Sequence, residues 1–143
     1  MTHRFLIAAL LAGMAVAGPS LAQTRGAREP FESEIARLAG RDAQPCGIVA
    51  LGKDAPAGWA CAQAAERAGR PYWLAFEGRG DDSLVGHAAI RTSAGTRLLL
   101  DYDSSPFGHG LYPRLVTTTC PWPVVYQPAE PAPLDCRAPI PGR

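Results

Sequence analysis

The first 22 residues set the chemistry open to everything that follows them. His3 and Arg4 start the chain with positive charge, Phe5 to Ala17 is an unbroken run of small and apolar residues, and Ser20-Leu21-Ala22 supplies the small side chains at which a signal peptidase cuts. Residues 1–22 therefore read as a secretory signal peptide, with the mature chain beginning at Gln23. An apolar run of about 13 residues is too short to span a bilayer as a helix, which takes ~20, and no later stretch comes close. The expectation is an exported chain, periplasmic or secreted, that is not an integral membrane protein.

Export decides how the cysteines are read. The four, Cys46, Cys61, Cys120 and Cys136, form an even set, and in an oxidising compartment that favours disulfides over metal ligands or a nucleophile. Three pairings are possible. Cys46–Cys61 and Cys120–Cys136 each close a short loop and are the predicted pair, each stabilising the fold by roughly 3 kcal/mol in the loop-entropy picture. No C-x-x-C occurs, which argues against a redox dithiol or a structural zinc site; no metal and no cofactor are expected.

Removing the leader leaves 121 residues, one domain's worth with a single modest core. The leader takes Arg4 and no acid with it, so the remainder carries 13 Lys+Arg against 13 Asp+Glu. Binding to a phosphate backbone needs a clustered surplus of cations, so nucleic acid is not an expected partner.

Along the mature chain, 23–29 is polar and small and is expected to be a flexible leader. Glu29-Pro30 opens a helix whose stripe is Phe31, Ile35 and Leu38, ending near Gly40. Gly47 to Leu51 is a short apolar strand candidate. Trp59 to Ala68 is a second, alanine-rich helix with Cys61, Ala64, Ala65 and Ala68 on one face, closed by Gly69 and Pro71. The period then shifts from 3.6 to 2. Tyr72 to Phe76 reads as a strand, Gly86–Thr92 and Thr96–Tyr102 as a hairpin about Ser93-Ala94-Gly95, and Leu115 to Cys120 as a further strand, with Val124-Val125-Tyr126 as a short extra piece.

The hairpin register follows from its loop. A three-residue turn with Gly95 in the left-handed position pairs residues whose numbers sum to 188. Ala88, Ile90, Leu98, Leu100 and Tyr102 then share one face and His87, Arg91, Arg97 and Asp101 the other. A two-residue loop would place Asp101 and Arg97 beside Ile90. Beyond Cys120, seven of the 14 prolines fall between Pro121 and Pro141, which predicts an extended arm held by Cys120–Cys136 rather than by burial.

The predicted fold is thus α+β: two N-terminal helices packed on one face of a small antiparallel meander of three to five strands, disulfide-stapled, with a Pro-rich C-terminal arm. The domain is placed at 30–120 and the arm at 121–143.

One internal echo brings chemistry together. D-x-S-x-x-G-H occurs as Asp81 to His87 and again as Asp103 to His109, and the hairpin register sets His87 opposite Asp101. His87, Asp101, Asp103, Ser105 and His109 are the candidate catalytic set, with Ser83 a second hydroxyl. Neither serine sits in G-x-S-x-G, no zinc-type histidine spacing is present, and a calcium loop of the D-x-D-x-D-G kind is absent. Turn preference explains the same residues, because Asp and Ser side chains bond to nearby backbone at strand ends. Tyr72, Trp73, Tyr112 and Trp122 are the candidate binding residues. Tyr72 and Trp73 adjoin on one strand and must point oppositely, so one of them is expected outside the helix-packed core.

The leading expectation is a non-catalytic protein-binding module, an inhibitor or accessory protein of the cell envelope whose partner is another envelope or extracellular protein. The alternatives are a small extracytoplasmic hydrolase or metal-binding protein using the Asp/Ser/His cluster, and a structural envelope protein.

Overall fold

Burial along Tyr72–Arg79 decides the layering. Tyr72, Leu74 and Phe76 are buried among one set of side chains, while Ala75 and the half-buried Trp73 join another, so alternate residues of this strand meet two separate cores. A computed structural model describes residues 21–50, 53, 55–107, 112–127 and 133–136, with side chains from residue 26 onward. The proposed signal peptide (residues 1–20 of it), Leu51, His109 and parts of the proposed arm (128–132 and 137–143) lie outside the described residues.

The elements run α1 (Leu21–Ala39), β1 (Gln44–Ala50), α2 (Pro56–Arg67), β2 (Tyr72–Arg79), β3 (Leu84–Arg91), β4 (Arg97–Asp103), β5 (Arg114–Cys120), β6 (Val125–Tyr126) and β7 (Leu134–Asp135). Strands β1 to β5 form one sheet in chain order, and β6 pairs with β7. The fold is α+β, with both predicted disulfides, Cys46–Cys61 and Cys120–Cys136, formed. Two cystines point to an oxidising, extracytoplasmic environment. Among the described residues no helix is long and apolar enough to cross a membrane.

The hairpin register is the predicted one. His87 pairs with Asp101, Ile90 with Leu98 and Val85 with Asp103, around a turn with Gly95 at φ +81°. The sheet as a whole is mixed, not a meander throughout, because β1 runs parallel to β2. A parallel neighbour needs a crossover connection, and α2 is that crossover. The helices are accordingly not both N-terminal to the sheet: β1 stands between them in the chain.

They also do not share a face. Phe31, Ile35 and Ala39 of α1 pack with Ala75, Ala88, Ile90, Leu98, Leu100 and Tyr102. Ala62 and Ala65 of α2 pack with Tyr72, Leu74, Phe76 and Ala89 on the other side. In α2 the buried positions are thus Ala62 and Ala65, while Ala64 and Ala68 are exposed. The helix closes by a Schellman arrangement, Arg70 N–H donating to the Ala65 carbonyl at 2.9 Å and Gly69 N–H to the Glu66 carbonyl at 3.0 Å.

Residues 23–29, expected as a flexible leader, are helical and continuous with α1. Tertiary contacts supply what the local pattern lacks. The Tyr102 hydroxyl donates to the Ala27 carbonyl, and Arg28 pairs with Glu77, a carboxylate seated beneath the helix. Phe31 stacks on Tyr102 at 5.2 Å and lies over Gly86.

The proline-rich tail is likewise not held by its cystine alone. Val124 and Leu134 are 5 % and 4 % exposed within the α2-side core, and Tyr126 stacks on Phe76 at 5.1 Å. Proline removes ladder donors but leaves the intervening apolar side chains free to pack, and here they do.

Candidate functional site

Beyond the reach of α2, the sheet face carrying the odd-numbered residues of β3 and β4 is polar. His87 and Asp101 are register partners, and the His87 Nδ1–H donates to Asp101 Oδ1 at 2.7 Å. An ionised carboxylate only accepts, which fixes the proton on Nδ1. The imidazole is 18 % exposed and the carboxylate 43 %. Next along, β5 brings Val116 opposite Asp101 and Arg114 opposite Asp103. Together with Val85 and Tyr102 these residues line an open depression of about 460 Å³. Arg114 is exposed and makes no ion pair among the described residues.

The rest of the candidate catalytic set does not converge there. Ser105 donates its amide to Asp103 Oδ1 at 2.9 Å, and Ser104 Oγ accepts from Leu84 N–H at 2.8 Å. These are bonds that hold a turn and a strand end. Ser83 and Ser104 line a separate cleft of about 290 Å³ with Asp81 and Asp82. His87, Asp101 and Asp103 are therefore brought together, and no serine among the described residues lines their depression. Among the described residues no three His, Cys, Asp or Glu side chains are grouped as metal ligands.

Gly86, within the first D-x-S-x-x-G-H segment, has a structural cause. A Cβ there would lie 2.6 Å from Phe31 Cε1, so the ring requires a bare Cα.

Of the candidate binding residues, Tyr72 and Trp73 belong to the two cores. Tyr72 is buried and Trp73 half-buried, each packed with the helix on its own side of the sheet. Burial first, and then the Glu66 carboxylate, raise the Tyr72 hydroxyl far above the ordinary tyrosine range. Glu66 also accepts from Arg97 Nε at 2.9 Å and Nη2 at 2.5 Å, with Arg91 Nε 3.7 Å away. Glu66, Arg97 and Arg91 thus form an ionic cluster beneath α2.

Tyr112 and Trp122 are surface residues, 79 % and 50 % exposed, and Phe107 at 81 % and Leu115 at 39 % join them. Sequence reasoning passed over Phe107, Leu115, Arg114 and Val116. At the edge of the sheet Leu115 is exposed and Val116 half-buried.

Compared with family models, with curated proteins and with solved structures, the chain matches none.

Proposed function

We propose that this protein is a non-catalytic binding module of the cell envelope or extracellular space, an inhibitor or accessory protein that docks another protein along β5 and its flanks. One observation carries the reading. Among the described residues the large exposed apolar side chains, Phe107, Tyr112, Leu115 and Trp122, all belong to β5 or to the segments leading into and out of it. Among the described residues the other large apolar side chains are buried or half-buried, so exposure of this kind is concentrated along β5 and its flanks, where it favours contact with a partner. Tyr and Trp suit such a surface, joining a large apolar body to a polar handle.

A catalytic reading has one observation in its favour. Asp101 orients His87 through Nδ1, the arrangement in which a carboxylate steadies a general base, and the ring borders a depression. Among the described residues no serine, threonine or cysteine lines that depression, so the set does not form a Ser–His–Asp or Cys–His triad.

Capture from an envelope extract tests the binding reading, using the oxidised mature chain and a Tyr112→Ser/Trp122→Ser double variant as baits. A partner retained by the first and lost by the second is the expected result. Equal retention by both, or none by either, overturns it.

A further inference from the structure

Resting on that reading, we infer that β5 binds its partner by strand addition: an extended partner segment pairs with the free edge of the sheet and presents a carboxylate to Arg114. The sheet has two edges, and they differ. The β1 edge is blunted by Pro45, by an irregularity in pairing between Pro45 and Ile48, and by the Cys46–Cys61 link to α2. The β5 edge is tied at its last residue alone, by Cys120–Cys136, and carries neither a proline nor a pairing irregularity. It runs Arg114 to Cys120, pairs with β4 at every residue, and has no neighbour on its outer side among the described residues.

An edge of this kind exposes a row of backbone donors and acceptors, which is the template used in strand-addition recognition. Its side chains favour the extended state, since Val116 and Thr117 to Thr119 are β-branched. Both faces can also be read. Arg114 and Val116 border the depression with His87 and Asp101, while Leu115 lies on the opposite face at 39 % exposure.

Charge selects the occupant. Arg114 is the one charged residue of β5 and has no ion pair among the described residues. A second copy brings no carboxylate to meet it, because the chain from Tyr112 to Trp122 contains no acid. A foreign strand with an acidic residue toward Arg114 and an apolar residue toward Leu115 satisfies both faces. Period-2 alternation delivers that pair from adjacent positions.

The test uses a capped synthetic heptapeptide of alternating Thr and Val with one Thr replaced by Glu, and a matching peptide with Lys in its place. Both are titrated to millimolar concentration into the isotope-labelled mature chain, and amide shifts are followed by NMR. The expected result is shifts confined to 114–120 and neighbouring β4, with the Glu peptide bound more tightly. Arg114→Ala should weaken the Glu peptide by about two- to five-fold, the scale of one exposed ion pair, and leave the Lys peptide unchanged or improved. Adjacent strand residues direct their N–H groups to opposite sides, so Val116→Pro and Thr117→Pro separate the two roles. One variant keeps the fold and loses the peptide, while the other breaks the β4 ladder. Absence of shifts in 114–120, or equal binding of Glu and Lys peptides, overturns the inference. So does concentration-dependent self-association that the fold-preserving proline variant abolishes, which would give the edge to a second copy. If that variant still captures an envelope partner, the binding reading stands and strand addition alone falls.

Discussion

The closest approach of α1 to the sheet among its core contacts, Phe31 over Gly86, can be measured by a double-mutant cycle. Phe31 is fully buried and stacked 5.2 Å from Tyr102, so its ring has no room to withdraw. A methyl group on residue 86 would meet Phe31 Cε1 at 2.6 Å and Cζ at 2.7 Å. Gly86→Ala therefore forces a backbone shift of the kind that costs about 1–3 kcal/mol in an overpacked core, offset by up to about 1 kcal/mol from removing a glycine inside a strand. Phe31→Leu removes the two nearest ring atoms and the stack, costing about 1–2 kcal/mol in lost burial and aromatic contact. In the Phe31→Leu background the methyl enters vacated space, and Gly86→Ala becomes neutral or stabilising. The expected coupling is about 1–2 kcal/mol, well outside the ~0.5 kcal/mol scatter of independent sites. Urea unfolding of the oxidised chain from Gln23 onward, followed by circular dichroism with slopes compared among variants, reads it. Additive costs would refute the reasoning.

Other expectations follow from the same contacts. Replacing Cys120 and Cys136 by serine removes a link across 16 positions and should lower stability by about 3 kcal/mol; because Val124 and Leu134 are core residues, thermal melting should shift as one transition, not as early loosening of the tail. The raised Tyr72 hydroxyl favours the neutral form in the folded state, so its contribution is intact below the unfolded value of 10.0 and is lost progressively as pH rises above it. Tyr72→Phe should flatten that alkaline loss in unfolding measured from pH 9 to 11, and an unchanged slope would contradict the burial argument. The His87–Asp101 pair, with Asp101 half exposed, should show a coupling under about 1 kcal/mol in a double-mutant stability cycle; a larger value would mean the pair is more than a cross-strand contact.

What the sequence made legible was local. The β3–β4 register came from Gly95 and from keeping Ile90 away from Asp101 and Arg97, and both cystines came from short loops. The parallel pairing of β1 was not legible, since its partner lies beyond α2 and no turn chemistry records it. Residues 23–29 looked structureless because the groups that hold them, Tyr102 and Glu77, are distant in sequence. The prolines of the tail drew attention from Val124 and Leu134 between them. Arg114 and Val116 were missed as neighbours of His87 and Asp101 because nothing in 104–113 fixes the β4–β5 register in advance.

The most direct test of the account is backbone amide exchange along β5 in the free protein and in the complex captured from envelope extract. Outward-facing amides of 114–120 should exchange quickly in the free chain, as expected of an unpaired edge, and become protected in the complex. Protection of the whole strand already in the free chain, or protection in the complex that spares β5, would contradict it.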